Sequence, residues 1–179
     1  MFVYDKKLQY PVKIDKPNPR LAAIIISQYG GPDGELGASL RYLSQRYSMP
    51  FDELKGLLTD IGTEELGHLE MIGAIVHQLT RNLKDSQIQD SAFAPYFVDH
   101  TTGVYPTAAS GFPWSASSMQ VKGDPIADLA EDLAAEVSLM LTPWASMSNI
   151  AMRKTVALQR FFVHSFRPFY CKIDSFCKR

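Results

Sequence analysis

With 179 residues, 46% of them hydrophobic, and a formal net charge of −1, the chain carries enough apolar material for one domain with a buried core. So little net charge excludes attraction to nucleic acid or to an anionic membrane through bulk electrostatics. The longest apolar run, Leu21 to Ile26, is far short of the roughly 20 residues needed to span a bilayer. The start, Met1 to Lys7, is charged and lacks a signal-like apolar stretch. Two cysteines, Cys171 and Cys177, are too few for a disulfide framework and fit a reducing, cytoplasmic setting.

Residues 1–17 read as extended chain broken by Pro11 and Pro17. Asn18-Pro19 predicts a helix start, an N-cap followed by proline at the first helical position, with the helix running to about Gln28. Gly30-Gly31-Pro32-Asp33-Gly34 interrupts it. A second helix is expected from Glu35 to about Tyr47, with Leu36, Leu40, Leu43 and Tyr47 as its apolar seam. A long helix is expected from about Asp52 to Leu83. Its seam is Leu54, Leu58, Ile61, Glu65, His68, Ile72, Ile75 and Leu79, in alternating steps of four and three. Gly56, Gly62, Gly67 and Gly73 lie inside this helix at about 1 kcal/mol each against alanine, which predicts close approach of neighbouring helices or of ligands. Residues 84–123 form a long irregular connection, a length that points to a functional segment or an interface. Asp124-Pro125 starts a further helix with the seam Ile126, Leu129, Leu133, Glu136 and Met140. Pro143 breaks that pattern, and residues 149–164 read as a less ordered helix.

Two ionisable side chains at the centre of an apolar seam need compensation, because an unpaired buried charge costs several kcal/mol. Glu65 and His68 are three residues apart and share a helix face, and carboxylate plus imidazole is a metal-ligand pair. A Glu-x-x-His projecting into a helical bundle is the pattern of di-iron and di-manganese carboxylate sites. Glu136, on another apolar seam, is a second carboxylate aimed at a core. Glu35, one residue off the Leu36 seam, is a weaker candidate by periodicity. Glu64 and Glu70 fall off the seam and read as solvated, and His77 and His100 read as exposed. Tyr42 and Arg46 share a face with Glu35 by spacing, where they either support the ligands from behind or pack as ordinary side chains.

The runs Gly30–Leu36 (GGPDGEL), Asp60–Glu70 (DIGTEELGHLE) and Lys122–Glu136 (KGDPIADLAEDLAAE) stand in the order and spacing of the manganese catalases, which the chain resembles over about residues 1–136. The opening Tyr4–Pro11 (YDKKLQYP) resembles the compact spore-coat, CotJC-type branch of that family. The resemblance implies an all-α, ferritin-like four-helix bundle with two manganese ions. Glu35 would be a ligand from the first helix, Glu65 and His68 from the second, and Glu136 from the third. It implies disproportionation of hydrogen peroxide to water and dioxygen, other spore-coat proteins as partners, a homo-oligomer, and a spore-coat location. The family's last ligand is a histidine on the fourth helix with a glutamate three residues before it. The nearest candidate is His164, which falls a few residues early, with Phe161 in place of the glutamate. Met140 stands where the family has an arginine.

The departure begins after Glu136, and so does a shift in composition. Residues 137–179 carry seven Lys/Arg, one acidic residue and half of the phenylalanines, for a charge of +6 against −7 in the first 136. The chain is therefore expected to be one ferritin-like domain, family-like over 1–136 and atypical over 137–179. A tail translated in a shifted frame explains both changes; a Glu-x-x-His restored in another reading frame of the gene tests it. Raw affinity at nitrogen and oxygen ligands favours iron over manganese, so iron is the alternative metal. A di-iron oxidase of the same fold and a structural coat component with impaired or no catalysis are the alternative functions.

Overall fold

The computed structural model describes residues 5–9, 11–91, 94, 97–98, 101–108 and 110–141; for 97–98, 101–102, 133 and 136–141 it describes the backbone alone. By contacts the chain divides into two compact units, Met1–Leu139 and Met140–Arg179. The expected helix at 149–164, with His164, and the side chain of His100 lie outside the described residues.

The described helices are, in order, α1 (Pro19–Gly30), α2 (Glu35–Gln45), α3 (Asp52–Thr80), α4 (Asp85–Gln89) and α5 (Pro125–Leu141), all in the first unit except the last two residues of α5. Asn18 caps α1 as its sequence predicts, its side chain accepting from the Leu21 amide, and Pro19 opens the helix. Both α1 and α2 pack on α3. Ala22, Ala23, Ile25 and Ile26 of α1 meet a core that includes Leu58, Ile61, Met71, Ile72, Val76 and Leu79 of α3. The N-terminal arm lies along α3. The Gln78 side chain accepts from the Ile14 amide and donates to the Val12 carbonyl, and the Arg81 guanidinium donates to the Ile14 carbonyl. No helix among the described residues is long and apolar enough to cross a membrane.

The seam expected on α2 is out of phase. Leu36, Leu40 and Leu43 are only partly buried and Tyr47 is exposed, while Glu35, Ala38, Ser39, Arg41, Tyr42 and Gln45 are buried. The physical reason is small-residue packing. Ser39 donates its hydroxyl to the Gly62 carbonyl at 2.6 Å, and a Cβ on Gly62 would lie 2.9 Å from Leu43 Cγ, so the two helices approach through their smallest residues. The leucines then flank the contact. The expectation of close approach holds at Gly62 and at Gly73, which faces the Tyr29 ring. It fails at Gly56, where a Cβ would meet open space. Along α3 the buried seam follows the predicted steps through Leu58, Ile61, Glu65, His68 and Ile72, then runs through Val76 instead of Ile75 to Leu79.

The connection between α3 and α5 is mostly irregular, with the short α4 and a two-residue antiparallel pair, β1 (Phe97–Val98) and β2 (Thr101–Thr102). Beyond β2 the chain makes a tight turn in which the Trp114 amide donates to the Pro106 carbonyl and the Ala108 amide to the Phe112 carbonyl. On α5 the exposed Ile126 is not part of the seam; Asp128, Leu129, Asp132 and Ala135 are buried. Asp128 is fully buried because its carboxylate accepts from the amides of Lys122 and Gly123, at 2.7 and 3.1 Å, fastening the end of the connection to the first turn of α5. Asp128→Ala strands both amides and is expected to cost about 1–3 kcal/mol in urea unfolding of the metal-free protein.

Candidate metal centre

Glu35, Glu65 and His68 come together in the core. Glu35 is the first residue of α2, placed there by the Gly31–Gly34 bend, and its negative charge suits the start of a helix. Glu65 and His68 project from one face of α3, one turn apart, as their spacing predicts. They are 6%, 1% and 3% exposed, so all three are withdrawn from water. His68 Nδ1 lies 2.6 Å from Glu65 Oε2 and 3.9 Å from Glu35 Oε2. One ligand atom from each residue falls within 4.8 Å of the others.

Two carboxylates beside one imidazole leave the cluster net negative even if the imidazole is protonated, and burial makes uncompensated charge expensive. A divalent cation supplies the missing charge, and oxygen donors with one imidazole nitrogen suit manganese, iron or zinc. The donor set therefore fits a metal. The imidazole nitrogen turned to both carboxylates is Nδ1, so these groups already converge on common ground.

The remaining sequence candidates fall in different places. Glu136 belongs to α5, and its side chain is outside the described ones, as is His164. Tyr42 is 1% exposed and lies on the same buried stripe of α2 as Glu35, two turns along. Arg46 sits in the 3-10 turn after α2, donating to Thr59 Oγ1 at 3.1 Å and stacking over the Tyr47 ring at 4.7 Å. Glu64 accepts from Gln9 Nε2 near the surface, and His77 is exposed, as their positions off the seam predicted. Three buried charged residues were not expected from the sequence, namely Arg41, Asp128 and Asp132. A signal for Arg41 existed. The stripe Glu35, Ala38, Tyr42, Gln45 has the helical period, and counting small and polar residues with the apolar ones would have placed Arg41 beside it.

Comparison with known proteins gives one answer. The sequence profile of a family described as manganese containing catalase matches residues 1–144. The chain is 54% identical over 136 residues to protein CotJC of Bacillus subtilis, covering 76% of this chain and 71% of that one. It is 34% identical over 138 residues to a probable manganese catalase of Clostridium acetobutylicum, of which it spans 61% of the length. The crystal structure of KatB, a manganese catalase from Anabaena, superposes with a TM-score of 0.84 at 30% identity, covering 99% of this chain and 82% of that chain. The likeness carries the fold, the ferritin-like helical bundle expected from the sequence.

Proposed function

Because the chain belongs to the manganese catalase family, we propose that it is a dimanganese protein that disproportionates hydrogen peroxide to water and dioxygen. The observation that supports this reading is the buried Glu35–Glu65–His68 cluster, with its ligand atoms within 4.8 Å of one another. These residues would hold the metal pair together with Glu136 of α5, and His164 is the candidate for the last ligand. Bound manganese supplies the electron exchange by which one peroxide is oxidised and another reduced. The chain's own contribution is charge and burial. Glu35 and Glu65 would offset the cation charge, and they lie withdrawn from water, with Leu58, Ile61 and Ile72 continuing the buried seam of α3 on either side of Glu65 and His68. Similarity to CotJC supports a place in the spore coat, with other coat proteins and further copies of the chain as partners.

The test is metal analysis with oxygen evolution on protein purified from manganese-supplemented cells. The expected result is manganese at least stoichiometric with the chain and oxygen release on adding peroxide. Removing the metal is expected to lower thermal stability, since a ligand present at about 100 times its Kd stabilises by about 2.7 kcal/mol. Less than stoichiometric metal with no oxygen release rejects the enzyme.

A second reading, a metal-binding coat component without turnover, is favoured by one observation. The family match ends at residue 144, and residues 137–179 contain no glutamate from which a second Glu-x-x-His could be made. Manganese bound without oxygen release selects it. Iron in place of manganese, with oxygen consumed, selects an oxidase.

A further inference from the structure

Glu35 has an awkward position for a ligand. It is the first residue of α2, and helix ends fray because their first amides lack intrahelical partners. The usual remedy is a side-chain cap, but the N-cap residue is Gly34 and no side chain caps the helix. Some other contact must fix the start of α2.

Arg41 supplies one. It lies in the second turn of α2 and is 1% exposed, and its Nη2 is 3.3 Å from Asp33 Oδ1. Its Nε and Nη1 meet no hydrogen-bond partner among the described residues, and Asp33 is its ion-pair partner there. A buried guanidinium with so few partners holds the one it has, because losing that partner leaves a buried charge uncompensated. Asp33 sits in the bend, two residues before Glu35. The pair therefore closes a loop from the body of α2 back across its own N-terminus, with Glu35 inside the loop. The bend is braced on its other side as well. Gly34 donates to the Gly31 carbonyl and Gly31 to the Ser27 carbonyl, and the Pro106–Thr107 backbone packs directly on Gly30.

We infer that Arg41 and Asp33 are positioning residues for Glu35, taking the place of the missing cap and holding the start of α2 in register with Glu65 and His68. The link to metal binding rests on the proposed dimanganese function; the link to the order of α2 does not. Asp33 is the residue to change, because its side chain is about half exposed (48%) and its loss creates no cavity.

The experiment compares wild type with Asp33→Ala and Asp33→Asn by two measurements. The first is hydrogen exchange at the amides of Glu35 to Ser39 in the metal-free protein, which reports local opening at the start of α2. The second is Mn²⁺ affinity, with the visible absorption of the Co²⁺-substituted protein as a signature of ligand geometry. Asp33→Ala is expected to speed exchange in this turn about tenfold while α3 keeps wild-type protection, to weaken Mn²⁺ binding about tenfold, and to shift the Co²⁺ bands. Asp33→Asn keeps an oxygen for the guanidinium and is expected to recover most of both. Wild-type exchange in Asp33→Ala overturns the inference. So do wild-type Mn²⁺ affinity and Co²⁺ bands in that variant, even if its melting temperature falls. If wild type binds no manganese while Asp33→Ala still opens the start of α2, the metal reading fails and the anchoring role stands.

Discussion

Glu65→Ala protein is expected to bind manganese on the order of 100-fold more weakly than wild type and to lose oxygen release from peroxide with it. Glu65 is 1% exposed and its Oε2 lies 2.6 Å from His68 Nδ1, so it is the carboxylate most fully committed to the cluster. Its removal deletes a donor atom and one of the three carboxylate charges, with Glu35 and Glu136, that would offset the metal pair. Changes to groups that merely support a ligand cost about 10–100-fold in affinity, so loss of a ligand belongs at or above the top of that range. Glu65→Gln keeps the shape and one oxygen without the charge, and is expected to fall between wild type and alanine. Glu64→Ala is the control. Glu64 is one residue round the helix, bonded to Gln9, and its loss is expected to leave metal content unchanged. The variants are read by metal analysis and circular dichroism together. Wild-type manganese content in Glu65→Ala would remove Glu65 from the site, while unchanged helicity with lost metal separates ligation from folding.

Gly30→Ala is expected to lower stability by about 3 kcal/mol, a fall in melting temperature of roughly 6–12 °C for a chain of this size. A methyl group there would lie 2.3 Å from Pro106 Cα and 2.3 Å from the Thr107 amide nitrogen. These are backbone atoms of a turn closed on itself by Trp114 and Phe112, and Thr107 is 1% exposed, so the obstacle cannot rotate aside as a side-chain tip would. Either α1 or the connection must move. The same substitution at Gly56 has the opposite sign. Nothing lies within 4 Å of a Cβ there, and alanine in a helix interior is favoured over glycine by about 1 kcal/mol. Differential scanning calorimetry of the two variants checks the contrast. A Gly30→Ala protein as stable as wild type would show that the connection is not seated on α1.

Glu65 and His68 were legible in the sequence because everything that identifies them is local. Three residues on one helix fix a shared face, and the apolar positions on either side fix which face is buried. The start of α1 was legible for the same reason, since Asn18-Pro19 states its own cap. Glu35 is a weak candidate by periodicity and a firm one only through family resemblance. Its helix buries small and polar residues, so a count of leucines finds a stripe that in fact flanks the contact, and Glu35 falls beside the stripe instead of on it. Asp128, an acid in the first turn of α5, has no burial signal of its own in the sequence, because its burial depends on where the connection ends, which no helical period encodes.

Local pattern is enough for the helical class, the boundaries of α1 and α5 to within a few residues, the Glu65–His68 pair of the candidate site and the family. It acts through periodicity, capping residues and ordered motifs, all of which are written in neighbouring positions. The rest came from the folded structure. It showed that Glu35 meets Glu65 and His68 within ligand distance, that Arg41 returns to Asp33 across the uncapped start of α2, and that the connection rests on Gly30 where no side chain fits. Those facts depend on how closely one segment approaches another. That distance is set by the combined packing of the core, and by no residue taken in its own place in the chain.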